Sequence, residues 1–427
     1  MNEIATTTTQ ESEETTNWRS IPQIAVVIGL LLCIYGYVQD KEQFAFSYLT
    51  AFMFCLSLGL GSLFLVLVHH LFDAGWSSPI RRYCEHLACL LFPWLGLAFI
   101  PVGFLGPEYI YPWMRIEDPH SDHALHVKMA LFNKPTWYAL SVILFFAWGW
   151  LTHRLRYWSL QQDKSGTSDF EGKLMFPEHL IVGFYKKAQQ LPFEQGQQQV
   201  MCTRMMRIHS AYGILLFAFT LTMGAILWMK SIQHQFFSTM YGVYYFAGSL
   251  WMSISAVWII GRILKAKNIV PQINNLQFYN LGTMLLAFTV FYSYIHFSQY
   301  FLIWNAAIPE ETFWYVLREQ GSWAYVSWAL IIGHFLIPFL VLLRIDVKLT
   351  NKVMVPIFIW VLLMHYMDMY FNVMPEIHKD GPSLVLADLG TLLLLGGSLI
   401  WIFMRDLFNH PVILMKDPRM GEALERH

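Results

Sequence analysis

Apolar runs long enough to cross a bilayer recur ten times along the chain, separated by polar connections. A spanning helix needs roughly 20 predominantly apolar residues. The pattern predicts spans over residues 22–38, 44–71, 80–104, 135–153 and 205–229, then over 237–264, 278–304, 322–343, 353–372 and 383–408. The expected fold class is therefore an all-α integral membrane protein with ten transmembrane helices. Small residues mark two of these spans: Ser57, Gly59, Gly61 and Ser62 in the second, and Gly248, Ser249, Ser253, Ser255 and Ala256 in the sixth. Such positions let helices approach closely. Both spans enter from the same side, so spans 2–5 and 6–9 read as two parallel four-helix bundles with spans 1 and 10 packed outside them.

Composition narrows the picture further. Of 427 residues, 56% are hydrophobic, 17% aromatic and only 13% charged, which excludes an ordinary water-soluble domain. The net charge of −1 is uninformative, but its distribution is not. With ten spans, one side of the membrane collects 21 Lys and Arg residues and the other 7. The positive-inside rule then places both termini in the cytoplasm. Residues 1–20 are rich in Thr and Glu, carry no basic leader, and read as a disordered cytoplasmic tail. Residues 21–158 hold spans one to four, 159–204 a cytoplasmic loop, 205–408 spans five to ten, and 409–427 a cytoplasmic tail. The five cysteines (Cys33, Cys55, Cys84, Cys89, Cys202) form no C-x-x-C pair. They read as apolar packing residues, not as ligands of iron–sulfur clusters or structural zinc.

Two connections are longer than a turn requires. The 159–204 loop contains Phe176-Pro177-Glu178-His179-Leu180-Ile181-Val182-Gly183-Phe184-Tyr185 followed by Lys186 and Lys187, a pattern that predicts an amphipathic helix on the membrane or on a partner subunit. The loop over 105–134 carries His120, His123 and His126 at spacings of three. That spacing is compatible with a metal site, although solvated loop histidines are the commoner case.

The spans themselves carry the sharper chemistry. An ionisable side chain inside a bilayer costs at least a few kcal/mol, so each one there is a functional candidate. The ninth span has His365, Asp368 and Asn372 on one face. The seventh has Tyr292, His296 and Gln299 at similar spacing, the eighth has His334, and the tenth has Asp388 near its periplasmic end. Together they outline a proton path from mid-membrane to the periplasm. A second cluster closes the second span and opens the third: His69, His70 and Asp73, then Arg81, Arg82, Glu85 and His86. It reads either as a salt-bridge knot at the helix ends or as a proton-uptake site in which an unpaired Glu85 acts with His86.

The order of spans resembles a known family, as do three segments: 52–61 (Phe-Met-Phe-Cys-Leu-Ser-Leu-Gly-Leu-Gly), 69–76 (His-His-Leu-Phe-Asp-Ala-Gly-Trp) and 81–86 (Arg-Arg-Tyr-Cys-Glu-His). These are similar to the NrfD-like membrane subunits of bacterial alternative complex III, above all the F subunit. The resemblance implies a membrane subunit of a respiratory quinol:cytochrome c or quinol:oxidase oxidoreductase in the bacterial inner membrane, contributing a proton-conducting path and energy coupling, as a non-catalytic or coupling subunit. It implies as partners an NrfD-like C subunit, an iron–sulfur protein, multihaem c-type cytochromes, a terminal oxidase and lipids, with no nucleic acid. The c-type haem and iron–sulfur clusters would belong to those partners, and contact with a quinone or menaquinone is implied by similarity alone. Two other classes remain open on the residues: a secondary transporter with midplane ionisable groups, and a b-type cytochrome using His296, His334 and His365.

Overall fold

The computed structural model describes the backbone of residues 2–175, 178–179 and 198–425, and side chains from residue 20 onward within those segments, up to 423. The predicted amphipathic helix over 176–187 falls outside the described residues except for Glu178 and His179. Among the described residues the chain is all-helical, without a strand. Helices satisfy their backbone groups internally, which an apolar surrounding requires.

The long helices are α1 (Asn2–Gln39), α2 (Lys41–Phe72), α3 (Ser78–Cys89), α4 (Lys134–Asp163), α5 (Gln198–Trp228), α6 (Tyr241–Ala266) and α7 (Asn275–Ala306). They are followed by α8 (Pro309–Glu319), α9 (Trp323–Leu342), α10 (Asn351–Val373), α11 (Leu386–Asn409) and the short α12 (Met420–Glu425). Side chains fix several ends. Asp40 accepts from the Gln43 amide at 3.0 Å at the start of α2, and Asn133 does the same for Thr136 at 2.9 Å at the start of α4. Asn274 and Gln277 form a reciprocal capping box on α7.

Among the described residues, eight helices are long and apolar enough to cross a membrane, or nine if one bent pair is a single span. That pair corresponds to the predicted third span, which is broken and not continuous. It bends by 40° between Gly75–Ala98 and Ile100–Ile110. Pro93 and Pro101 remove backbone donors there, and Phe92 leaves helical geometry at φ −146° and ψ 135°. The carbonyl this frees is bound by His153 Nε2 at 2.8 Å. The predicted fourth span lies in α4, 30 residues long, whose Trp137, Tyr138, Trp148 and Trp150 dilute its aliphatic content.

The packing order is legible around α2, which touches α3, α5, α6, α10 and α11. Helices α3 and α5 also contact α4, while α6 contacts α7 and α10, and α9 bridges α7 and α10. Helix α1 lies along α11. A close approach joins α2 and α6: a Cβ added at Gly61 would stand 2.3 Å from both Ser249 O and Ser253 Oγ. The two helices are tied there by Ser253 Oγ donating to Leu58 O (2.8 Å) and Tyr245 Oη donating to Met53 O (2.7 Å).

This contact generates a stability prediction. Gly61→Ala pushes a methyl into backbone that cannot move aside, so it destabilises by ~1–3 kcal/mol, the usual cost of overpacking. Gly396→Ala, with nothing within 4 Å of the added atom, leaves the protein unchanged. Thermal unfolding in detergent, followed by tryptophan fluorescence, checks the pair. Equal melting temperatures for the two variants refute the tight α2–α6 contact.

Candidate functional site

The middle of the molecule holds a buried polar cluster built by α2, α6, α7, α9 and α10. His334, His365 and Asp368 are each fully buried. One ring nitrogen of each histidine and one Asp368 oxygen all lie within 4.8 Å of one another. His365 reaches α2, where its Nε2 is 2.9 Å from Ser57 Oγ. The Ser57 hydroxyl has a single proton; when that proton goes to Phe54 O at 2.6 Å or to Met252 Sδ at 2.9 Å, Ser57 accepts from His365. Nε2 is then the protonated nitrogen, and Nδ1, which has no partner, presents a bare lone pair. Gly248 makes room for this ring: a Cβ there would stand 2.8 Å from His365 Cε1.

Asp368 receives the other half of the cluster. Tyr244 Oη donates to its Oδ1, Tyr292 Oη donates to Tyr244 Oη at 3.2 Å, and Asn372 Nδ2 donates to Tyr244 Oη at 2.8 Å. Tyr241 Oη donates in turn to Asn372 Oδ1 at 3.0 Å. Every hydroxyl thus points its proton along the chain toward Asp368 or Asn372. Asp368 Oδ2 has no partner, and neither nitrogen of His334 has one. His334 is clamped by ring stacking instead, 3.6 Å from Trp251 and 3.7 Å from Tyr292 between centroids. It sits in a π-type turn, Ile331–Leu336, an irregularity frequent at functional positions. His296 joins through its ring, 5.6 Å from Tyr244.

The same three residues form the one group among the described residues with metal-ligand geometry. A dication there would meet one carboxylate, which leaves net charge in an apolar interior. A mobile proton suits the arrangement better, because Asp368 and the lone pair of His365 can share it without adding an ion. Asp388 is placed elsewhere. It accepts from Ser47 Oγ (2.6 Å) and from the Val385 amide (3.0 Å) at the start of α11. Ser47 is followed by Gln43 (3.2 Å), whose Oε1 lies 2.6 Å from His378 Nε2, forming a separate polar chain.

The residues at the α2–α3 junction form a dense ion network. Glu85 is buried with Arg81 Nε at 3.0 Å and Arg82 Nη1 at 3.6 Å. The expectation of an unpaired Glu85 therefore fails, because both arginines of its own helix turn back onto it. Arg81 also reaches Asp417 at 2.7 Å, Arg82 binds Asp163, and Asp73 binds Arg419 and, at 2.5 Å, Arg207. Residues Asp417 and Arg419 belong to the segment read as a C-terminal tail. Its docking here was not legible from sequence. His69 lies 2.7 Å from Ser77 Oγ, and His86 Nδ1 lies 2.7 Å from Asp406, which also pairs with Arg156 at 2.6 Å. His70 is buried with its Nε2 unpartnered. Ser57 and His69 stand twelve residues apart on α2, about 18 Å. Among the described residues, no hydrogen-bonded chain joins this network to the central cluster.

A third cluster gave no signal in the sequence because its members are far apart in the chain. Glu178 is fully buried and accepts from Arg154 Nε (2.8 Å), Trp158 Nε1 (2.9 Å) and the Met175 amide (2.8 Å), with His209 Nε2 at 2.6 Å. His120, His123 and His126 do not converge on a metal site, although the His120 and His126 rings lie 4.7 Å apart.

No protein-family model matches this chain, and no curated protein matches it either.

The Glu178 cluster generates a pH prediction. Burial raises the Glu178 pKa, but hydrogen bonds from His209, Arg154, Trp158 and the Met175 amide outweigh it and hold the carboxyl down at about 2. A carboxyl depressed in the folded state contributes stability above its unfolded pKa and loses it as pH falls toward the folded value. Melting temperature should therefore decline below the ordinary Glu range of about 4.3. Glu178→Gln should weaken this decline and cost about 3 kcal/mol at neutral pH, since it strands a buried Arg154. Identical acid profiles for the two proteins between pH 5 and 3 would refute this role.

Proposed function

We propose that this chain is a proton-conducting membrane subunit of a quinol-oxidising respiratory assembly of the alternative complex III type. The observation that carries the reading is the central cluster. A fully buried carboxylate and two fully buried histidines stand together with unpartnered polar atoms, fed by tyrosine hydroxyls that all point the same way. Such groups are expensive in an apolar interior, and a packing role would pair them. In this reading Asp368 and His365 exchange a proton: Tyr244 and Asn372 orient the carboxylate, and Ser57 fixes the tautomer of His365.

The finer architecture belongs to the same proposal. Helix α4 and the bent third element complete ten spans, and both termini face the cytoplasm. Spans 2–5 and 6–9 form two bundles, in line with the contacts of α2 with α3 and α5 and of α6 with α7 and α10. The ion network at the α2–α3 junction then lies at the cytoplasmic surface, where it locks helix ends and the C-terminal segment. Partner subunits supply the iron–sulfur clusters and c-type haem, and any quinone contact is made within that assembly.

Two measurements test the reading. Isolation in mild detergent should yield a complex containing c-type haem and iron–sulfur proteins. In proteoliposomes of that complex, Asp368→Asn should slow proton translocation on the order of 100-fold, the low end of what a positioned proton-transfer group contributes. Assembly should be unaffected, because the amide retains the hydrogen bond from Tyr244. A purified chain that alone transports a solute or shows a haem spectrum, or an Asp368→Asn complex that pumps normally, overturns the proposal.

A further inference from the structure

Resting on the proton-carrying reading above, we infer that the track leaves the molecule through Glu376, in a polar pocket at the far end of α10. The stripe His365, Asp368 and Asn372 on α10 is continued by Glu376 in the 3₁₀ turn that extends the helix (Met374–Glu376). Asp368 and Glu376 are eight positions apart, about 12 Å along the helix. Glu376 lines a cavity of about 420 Å³ together with Gln233, His234, Gln320 and Lys379. This is the opposite end of α10 from the connection to α9, hence the periplasmic side in the proposed topology.

Polar contacts join the pocket to the central cluster without a break in named partners. Gln233 Nε2 donates to Glu376 Oε2 at 2.9 Å, and its Oε1 accepts from Arg318 Nη1 at 3.5 Å. Arg318 Nη2 donates to Asn372 O at 2.9 Å, and the Asn372 side chain binds Tyr244 and Tyr241 beside Asp368. Arg318 is only 1% exposed, lies over the Trp314 ring at 3.5 Å, and has no carboxylate within 4.0 Å among the described residues. Its remaining donors are held by Phe371 O (3.0 Å) and Trp314 O (2.9 Å).

A buried guanidinium keeps its proton, so Arg318 does not relay one. It acts as a fixed positive charge between two carboxylates. That charge keeps other cations from entering the exit. Glu376, hydrogen-bonded on one side and facing the pocket on the other, is placed to take the proton that Asp368 releases, carried past Arg318 by water entering from the pocket, and hand it to solvent.

The test uses the intact assembly in proteoliposomes, with quinol-driven proton release read by a pH dye and haem reduction read in parallel. Four variants are compared: Glu376→Gln, Glu376→Asp, Gln233→Leu and Asp368→Asn. Glu376→Gln should slow proton release at least tenfold, a fraction of what a positioned proton carrier contributes, and Glu376→Asp should restore most of the rate. Gln233→Leu keeps both carboxylates but removes the hydrogen bond that holds Glu376 in place, and should slow release as well. If Asp368→Asn blocks release while Glu376→Gln and Gln233→Leu run at the wild-type rate, the exit is refuted and the central cluster stands. If all variants run normally, the proton-carrying reading falls and the exit with it. Should Glu376→Gln fail to assemble, Gln233→Leu decides alone: slowed release supports the exit and unchanged release overturns it.

Discussion

The near-contact of α2 and α6 at Gly61 is the constraint on which the rest of the arrangement depends. With no side chain at Gly61, Ser249 and Ser253 of α6 press directly against α2, and backbone carbonyls of α2 become hydrogen-bond acceptors for α6. Close apposition also brings Ser57 of α2 within reach of His365 on α10, since α10 packs on both helices. Van der Waals contact between small residues supplies association where lipid offers no hydrophobic driving force. A larger residue at Gly61 would separate the helices and pull Ser57 away from the imidazole it orients.

Burial of charge follows two different rules in the two halves of the structure. At the α2–α3 junction every carboxylate is matched. Glu85 faces two arginines, Asp163 and Asp417 take their outer nitrogens, and Asp73 holds Arg207 and Arg419. Such a network is costly to break at any one member, because the partner left behind is buried. In the central cluster His334, His365 and Asp368 keep polar atoms unpartnered with no ion pair beside them among the described residues, and ring stacking takes the place of hydrogen bonds in fixing His334. Opposite charges in contact lock a structure, whereas lone pairs without an ion partner leave somewhere for a proton to go.

Irregular helix geometry accompanies this chemistry. The π-type turn around His334 frees backbone that Trp360 Nε1 helps to satisfy, donating to Gly333 O at 2.8 Å. The break at Phe92 is served in the same way by His153. In both places a side chain from a neighbouring helix replaces the lost ladder bond, which lets a spanning segment deviate without exposing bare carbonyls.

Amino-acid order alone determined the helical character and the helices long and apolar enough to cross a membrane, because apolar length is a local property, and it placed His365, Asp368 and Asn372 on one face, because helical periodicity is local too. Small residues in spans two and six likewise marked the helices that meet at Gly61. Tertiary structure decided what those residues touch. Tyr244 and Asp368 are separated by 124 positions, and Ser57 and His365 by 308, so no spacing rule could pair them. It also decided that Glu85 is paired, that Asp388 belongs to a different polar chain, and that Glu178 is buried against Arg154 and His209. Arg318 and Glu376 lie just outside the apolar runs, where no spacing singles them out; only the folding of α8 back onto the end of α10 buries Arg318 there. The bend in the third span was similarly out of reach, since prolines mark where a helix loses a bond but not which neighbour compensates for it.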